Sequence, residues 1–161
     1  MRRETQAGEH QGYRLLRYAC IFYAIGLVVH GADHLRRGID VLTPEVIWAG
    51  TLTNVIGLIV ITLVFSGHRL APLAAAGVGF SFAAGLAAVH LLPEWSAFSD
   101  ALPGGEEVEA TSWAAVLIEF AGLLALGAAG TYLVMNGSRR SGLAPATASS
   151  GASSGHVRKT S

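Results

Sequence analysis

The chain alternates between long apolar runs and short polar interruptions. The apolar runs extend from about Leu15 to Ala32, Val46 to Phe65, Leu70 to Leu92 and Trp113 to Met135. A helix that crosses a hydrocarbon core roughly 30 Å thick needs about 20 mostly apolar residues, and all four runs come close to that length. None shows the period-2 alternation of a half-buried strand. In lipid each segment must also satisfy its own backbone donors and acceptors, so all four are expected to be helices. The pattern predicts an all-α protein, an antiparallel bundle of four transmembrane helices over residues 13–135. It leaves a polar tail at 1–12 and a Ser/Gly/Ala-rich tail at 136–161, both expected to be disordered because neither buries enough apolar area to offset the entropy of ordering.

The interruptions carry helix-end chemistry. Thr43, Pro44 and Glu45 supply a capping hydroxyl, a proline suited to the first helical position and a carboxylate near the positive end of the dipole. Gly67 is suited to close the second helix, and the short turn through His68 and Arg69 sends the third back antiparallel. Pro93 disfavours helix at Leu92, so the third helix should stop with His90 in its last turn, and Thr111 or Ser112 is placed to cap the fourth.

Composition agrees with this pattern. Of 161 residues, 52% are hydrophobic and 14% charged, too apolar for an ordinary soluble domain of this size. The 11 basic and 11 acidic residues cancel formally but are segregated along the chain. Arg2, Arg3, Arg14, Arg17, Arg69, Arg139, Arg140, Arg158 and Lys159 fall on one side of a four-helix zigzag, whereas the loop from Pro93 to Ala110 holds five acidic residues and no basic one. Because cytoplasmic flanks accumulate Lys and Arg, both termini are expected in the cytoplasm, with the protein in the plasma membrane and the acidic loop outside. The expected partners are the lipid bilayer and a homo-oligomer or another membrane protein. Nucleic acid is not expected, since the basic residues form no contiguous stripe. The basic start and apolar middle of the first segment also resemble a signal peptide, but its length argues against cleavage. Cys20, the single cysteine, lies inside that segment and has no disulfide partner in the chain.

The zigzag brings distant residues to one end. His30, Asp33 and His34 lie at the outer end of the first helix and His90 at the outer end of the third; Glu119 falls roughly 9 Å inward from Trp113. An ionisable group at membrane depth is costly and rarely faces lipid, so Glu119 should point inward and find a partner, a histidine being the natural one, or be protonated. Asn54, on a face with Gly50, Thr51 and Gly57, is expected in the bundle interior as well.

His30 and His34 stand four residues apart, on one helical face. With His90 and Glu119 they make a candidate metal set suited to zinc, copper, iron or manganese, and Asp33 is either a further ligand or an acceptor that orients an imidazole. A haem between His30 and His90 finds no supporting paired-histidine pattern. Two other readings compete with the metal site: the same residues as a hydrogen-bonded bundle core, and a metal-dependent membrane hydrolase or redox protein using Ser96 or Ser99. No catalytic residue is assigned. Arg36 and Arg37 suit headgroup anchoring, Trp48, Trp95 and Trp113 an aromatic belt, and the stretch from Trp95 to Asp100 an interfacial lid.

The strings HGADHLRRGIDVLTPEVIWAGT, GHRLAPL and HLLPEWSAFSDA resemble segments of a group of small, uncharacterised four-helix integral membrane proteins of high-GC Gram-positive bacteria (actinobacteria). The resemblance spans about Ile25 to Asp100. It implies membrane location and carries over no catalytic residue.

Overall fold

A computed structural model describes residues 2–103 and 109–142, with side chains described over 10–103 and 109–137. Four helices make up the fold: α1 (Arg2–Arg37), α2 (Pro44–Phe65), α3 (Ala71–Leu86) and α4 (Ala110–Gly142). Each gives a stretch long and apolar enough to cross a membrane, the third span running from Ala71 through a π turn to Leu91. The architecture is therefore the expected all-α four-helix one, and it fits a multi-pass membrane protein.

Two helix ends behave as the sequence predicts. Thr43 is extended and its hydroxyl accepts from the Val46 amide at 3.3 Å, with Pro44 opening α2 behind it. At the other end Gly67 takes φ 66°, and the amides of Gly67 and His68 donate back to Val64 and Leu63, the paired bonds of a Schellman closure. Other ends differ. α1 begins at Arg2, so residues expected as a tail over 2–12 continue the helix, and it runs on to Arg37, five residues past Ala32. No proline interrupts this stretch, and extending an established helix costs far less than nucleating one. Thr111 and Ser112 lie within the first turn of α4 rather than capping it. The expected tail beyond 142 lies outside the described residues.

The third span ends by widening. After Leu86 the chain makes a five-residue π turn, Ala87–Leu91, and becomes extended at Leu92, where Pro93 forbids further helix. The carbonyls freed there are taken by the following loop, whose Asp100 and Leu102 amides donate to Val89 and His90 at 3.0 Å each. π turns are rare and cluster at functional sites. This one contains His90.

α1 and α3 both pack chiefly on α4, and α2 touches α1 and α3 along fewer residues. The core consists of Leu16, Cys20 and Tyr23 from α1, Val60 and Val64 from α2, small residues of α3, and Leu123 and Leu126 from α4. Large apolar side chains such as Val28, Trp48, Leu52 and Leu73 point outward. That distribution suits a bundle solvated by lipid, in which close packing of small residues replaces the hydrophobic drive between helices. α1 and α4 approach closely at Gly26 and Gly122: a Cβ at Gly26 would lie 2.6 Å from the Glu119 Cα, and one at Gly122 would lie 2.8 Å from the Tyr23 Cα.

Gly26→Val should therefore force α4 away from α1. Overpacking of this kind costs typically about 1–3 kcal/mol, so thermal unfolding in detergent should occur at a clearly lower temperature. Gly31→Val, where the space around a new Cβ is empty, should leave it nearly unchanged.

A candidate metal centre at one end of the bundle

The close approach at Gly26 determines what sits one turn further along α1. His30 lies on the same face as Gly26, and its Nδ1 meets the Glu119 carboxylate of α4 in a buried hydrogen bond. Against a carboxylate, which only accepts, Nδ1 is the donor. The Nε2 of His30 is then left buried, without a hydrogen-bond partner among the described residues.

His34 stacks one turn beyond, its ring centroid 4.5 Å from that of His30, and His90 approaches edge-on from the π turn at 4.7 Å from His30 and 5.7 Å from His34. One ring nitrogen from each histidine lies within 4.8 Å of the other two. Two nitrogens bound at roughly 2.0–2.1 Å to a shared ion are at most about 4.2 Å apart. The three nitrogens exceed that limit by at most about 0.6 Å, and the spacing of about 3.4 Å in a tetrahedral site asks them to close by up to about 1.4 Å, a displacement within the reach of side-chain rotation.

The Nδ1 partners distinguish the three rings. His90 Nδ1 faces the Asp100 carbonyl at 3.0 Å, which can only accept, so His90 donates from Nδ1 as His30 does. His34 Nδ1 instead lies 2.9 Å from an Arg37 guanidinium nitrogen, which can only donate, so in this arrangement His34 carries its proton on Nε2. Two of the three histidines present an Nε2 lone pair and the third an N–H.

An ion-pair network closes the outer end. Asp33 bridges two arginines, with Oδ1 accepting from Arg36 Nε and Nη2 at 3.1 and 2.9 Å and Oδ2 3.2 Å from Arg37 Nε. Arg36 continues to Glu109 at 2.8 Å and to the buried Ser112 hydroxyl at 3.1 Å, which ties α1 to the start of α4. Arg37 grips both carboxylate oxygens of Asp100. The Asp100 carboxylate also lies 3.4 Å from His90 Nδ1 and 3.7 Å from His34 Nδ1. Burial opposes ionisation of Asp100, but the hydrogen bonds and charge of Arg37, helped by the two histidines, hold its carboxyl below the usual carboxylate range.

The placement of the expected residues is therefore specific. His30, His34 and His90 come together, Glu119 holds one of them, and Asp33 faces Arg36 and Arg37 rather than an imidazole. Arg36 and Arg37, expected among headgroups, fold back into ion pairs. Asn54 is not part of the cluster: it is exposed on the outside of α2. Asp100, expected only as part of an interfacial lid, reaches the cluster, and the signal for it was charge. An acidic loop without a basic residue must return over the same end that carries Arg36 and Arg37. The serines considered for hydrolysis act within the loop, where Ser99 Oγ accepts from the Trp95 and Ser96 amides and Ser96 Oγ from Phe98. The loop itself is pinned by Thr43 donating to the Ala97 carbonyl and by Trp95 Nε1 donating to Ala88 at 2.8 Å.

The fold and site define a class, a multi-pass helix bundle with a histidine cluster inside one end. Comparison with protein-family models, curated proteins and solved structures finds no match for the chain.

Because the Asp100 carboxyl is depressed in the folded protein, its contribution to stability is present above its unfolded pKa of about 3.9 and is lost as pH falls below that value. Thermal unfolding followed from pH 7 downward should therefore fall more steeply below about pH 4 in the wild-type protein than in Asp100→Asn, which lacks that titration.

Proposed function

We propose that this small multi-pass membrane protein binds a single transition-metal ion through His30, His34 and His90, with Glu119 and Asp100 orienting the imidazoles from outside the ligand shell. One observation carries the reading: Glu119 fixes the His30 Nδ1 proton, which leaves a buried Nε2 lone pair without a partner among the described residues, in a cluster of three imidazoles. Carboxylate and carbonyl acceptors behind ligating histidines set the tautomer and raise ligand basicity; the Glu119 carboxylate takes that role for His30 and the Asp100 backbone carbonyl for His90. Asp33 acts at one further remove, by holding Arg37 against Asp100.

An imidazole set favours zinc, copper or iron over manganese, which prefers oxygen ligands. Ligation by His34 through Nε2 moves its proton to Nδ1, and ligation through Nδ1 takes up that lone pair, so either mode releases the contact from Arg37. Basic flanks argue for an extracytoplasmic site in the plasma membrane, with both termini in the cytoplasm. The protein is best read as a sensor, carrier or accessory subunit.

The second reading is a hydrogen-bonded core that fixes helix register. The observation in its favour is that ion pairs and hydrogen bonds already join Arg36, Arg37, Asp33, Asp100 and Ser112 across α1, α4 and the loop, with only Asp33 Oδ2 and Arg37 Nε in ionic contact without a hydrogen bond.

Elemental analysis of detergent-purified protein incubated with zinc or copper and then desalted decides between them. About one ion per chain is expected, with retention lost in His30→Ala/His90→Ala and affinity weakened about 10- to 100-fold in Glu119→Gln. A folded wild-type protein that retains no ion leaves the register-fixing core as the function of the cluster.

A further inference from the structure

One exposed flank of α2 carries a polar residue where lipid should be. Asn54 sits at the midpoint of this 22-residue helix, is exposed, and has no side-chain hydrogen-bond partner among the described residues. The hydroxyls of Thr51 and Thr62 on the same helix are satisfied internally, donating to Ile47 and Leu58 at 2.8 Å each. Asn54, a carboxamide with two donors and an acceptor, has no such local bond, and hydrocarbon supplies none.

Its neighbours form a seam. Ile47, Thr51, Asn54, Leu58, Ile61 and Phe65 recur at spacings of four and three, the repeat that keeps one stripe of a helix facing a partner helix. Five of them are exposed and Ile61 is half-buried. The stripe lies roughly 100° around the helix from Val46, Gly57, Val60 and Val64, the buried face of α2. No charged residue interrupts it between Ile47 and Phe65, so two such faces do not repel.

We infer that this seam is the contact surface for a second copy of the same chain, with Asn54 of each copy hydrogen-bonded to its counterpart across a two-fold axis normal to the membrane. Copies inserted with one topology present α2 in parallel and at the same depth. Asn54 then meets a group that is both donor and acceptor at its own level in the bilayer. An isologous contact satisfies both carboxamides at once, and a single asparagine in such a seam is a known device for fixing register and pair number. The inference does not depend on metal binding, because the seam lies on another face of the bundle.

The test uses the full chain in phosphatidylcholine vesicles at high lipid dilution. Labelled protein should bleach in two steps. In a Cys20→Ala background, mild oxidation should cross-link Asn54→Cys but not Leu52→Cys, which is equally exposed on the opposite side of α2. Asn54→Leu, a change at an exposed position that leaves the bundle core untouched, should weaken self-association roughly three- to thirty-fold, the range of one interhelical polar contact in a membrane. Single-step bleaching at every dilution, as expected for a lipid-facing or foreign-partner surface, overturns the inference. So does equal cross-linking at positions 52 and 54.

Discussion

The histidine cluster at one end of this molecule is built on one buried contact, the hydrogen bond between His30 on α1 and Glu119 on α4. A carboxyl group at that depth has no water to turn to, so it must be matched from within the bundle. The match requires the two helix backbones to come unusually close. Gly26 provides that approach one turn below His30, at the level of Glu119. A glycine thus places the carboxylate, and the carboxylate in turn decides which nitrogen of His30 remains available.

The outer end follows from a second constraint, the need to satisfy the carbonyls exposed where α3 stops. Pro93 ends the helix, the π turn widens it, and the loop returns to donate its Asp100 and Leu102 amides to the freed carbonyls. That return is what delivers the Asp100 carbonyl and carboxylate to His90 and Arg37. Helix termination and site assembly are one event. A stretch expected to be an interfacial lid acts as a strap, and its serines are used up in its own turns.

The four spans were legible because hydrocarbon thickness and backbone satisfaction leave few alternatives to long apolar helices. The convergence of His30, His34 and His90 was legible too, since a zigzag of four antiparallel helices places the first helix's exit and the third helix's end on one side. Periodicity and depth, however, do not give the angular position of a helix around its axis. Asn54 was therefore expected inside from its small neighbours, yet α2 turns Val46, Gly57, Val60 and Val64 inward instead. The roles of Asp33 and Asp100 were equally hidden. Both are carboxylates near the cluster, and only the positions of Arg36 and Arg37 decide that Asp33 bridges arginines while Asp100 reaches the histidines.

In the proposed metal centre three imidazoles share one ion while the acidic residues stay behind them. X-ray absorption at the zinc edge of the loaded, detergent-purified protein measures this directly. The expected result is a nearest shell of nitrogen at about 2.0–2.1 Å with the outer scattering of about three imidazole rings. A shell dominated by oxygen, or zinc that shows no imidazole scattering, would contradict it.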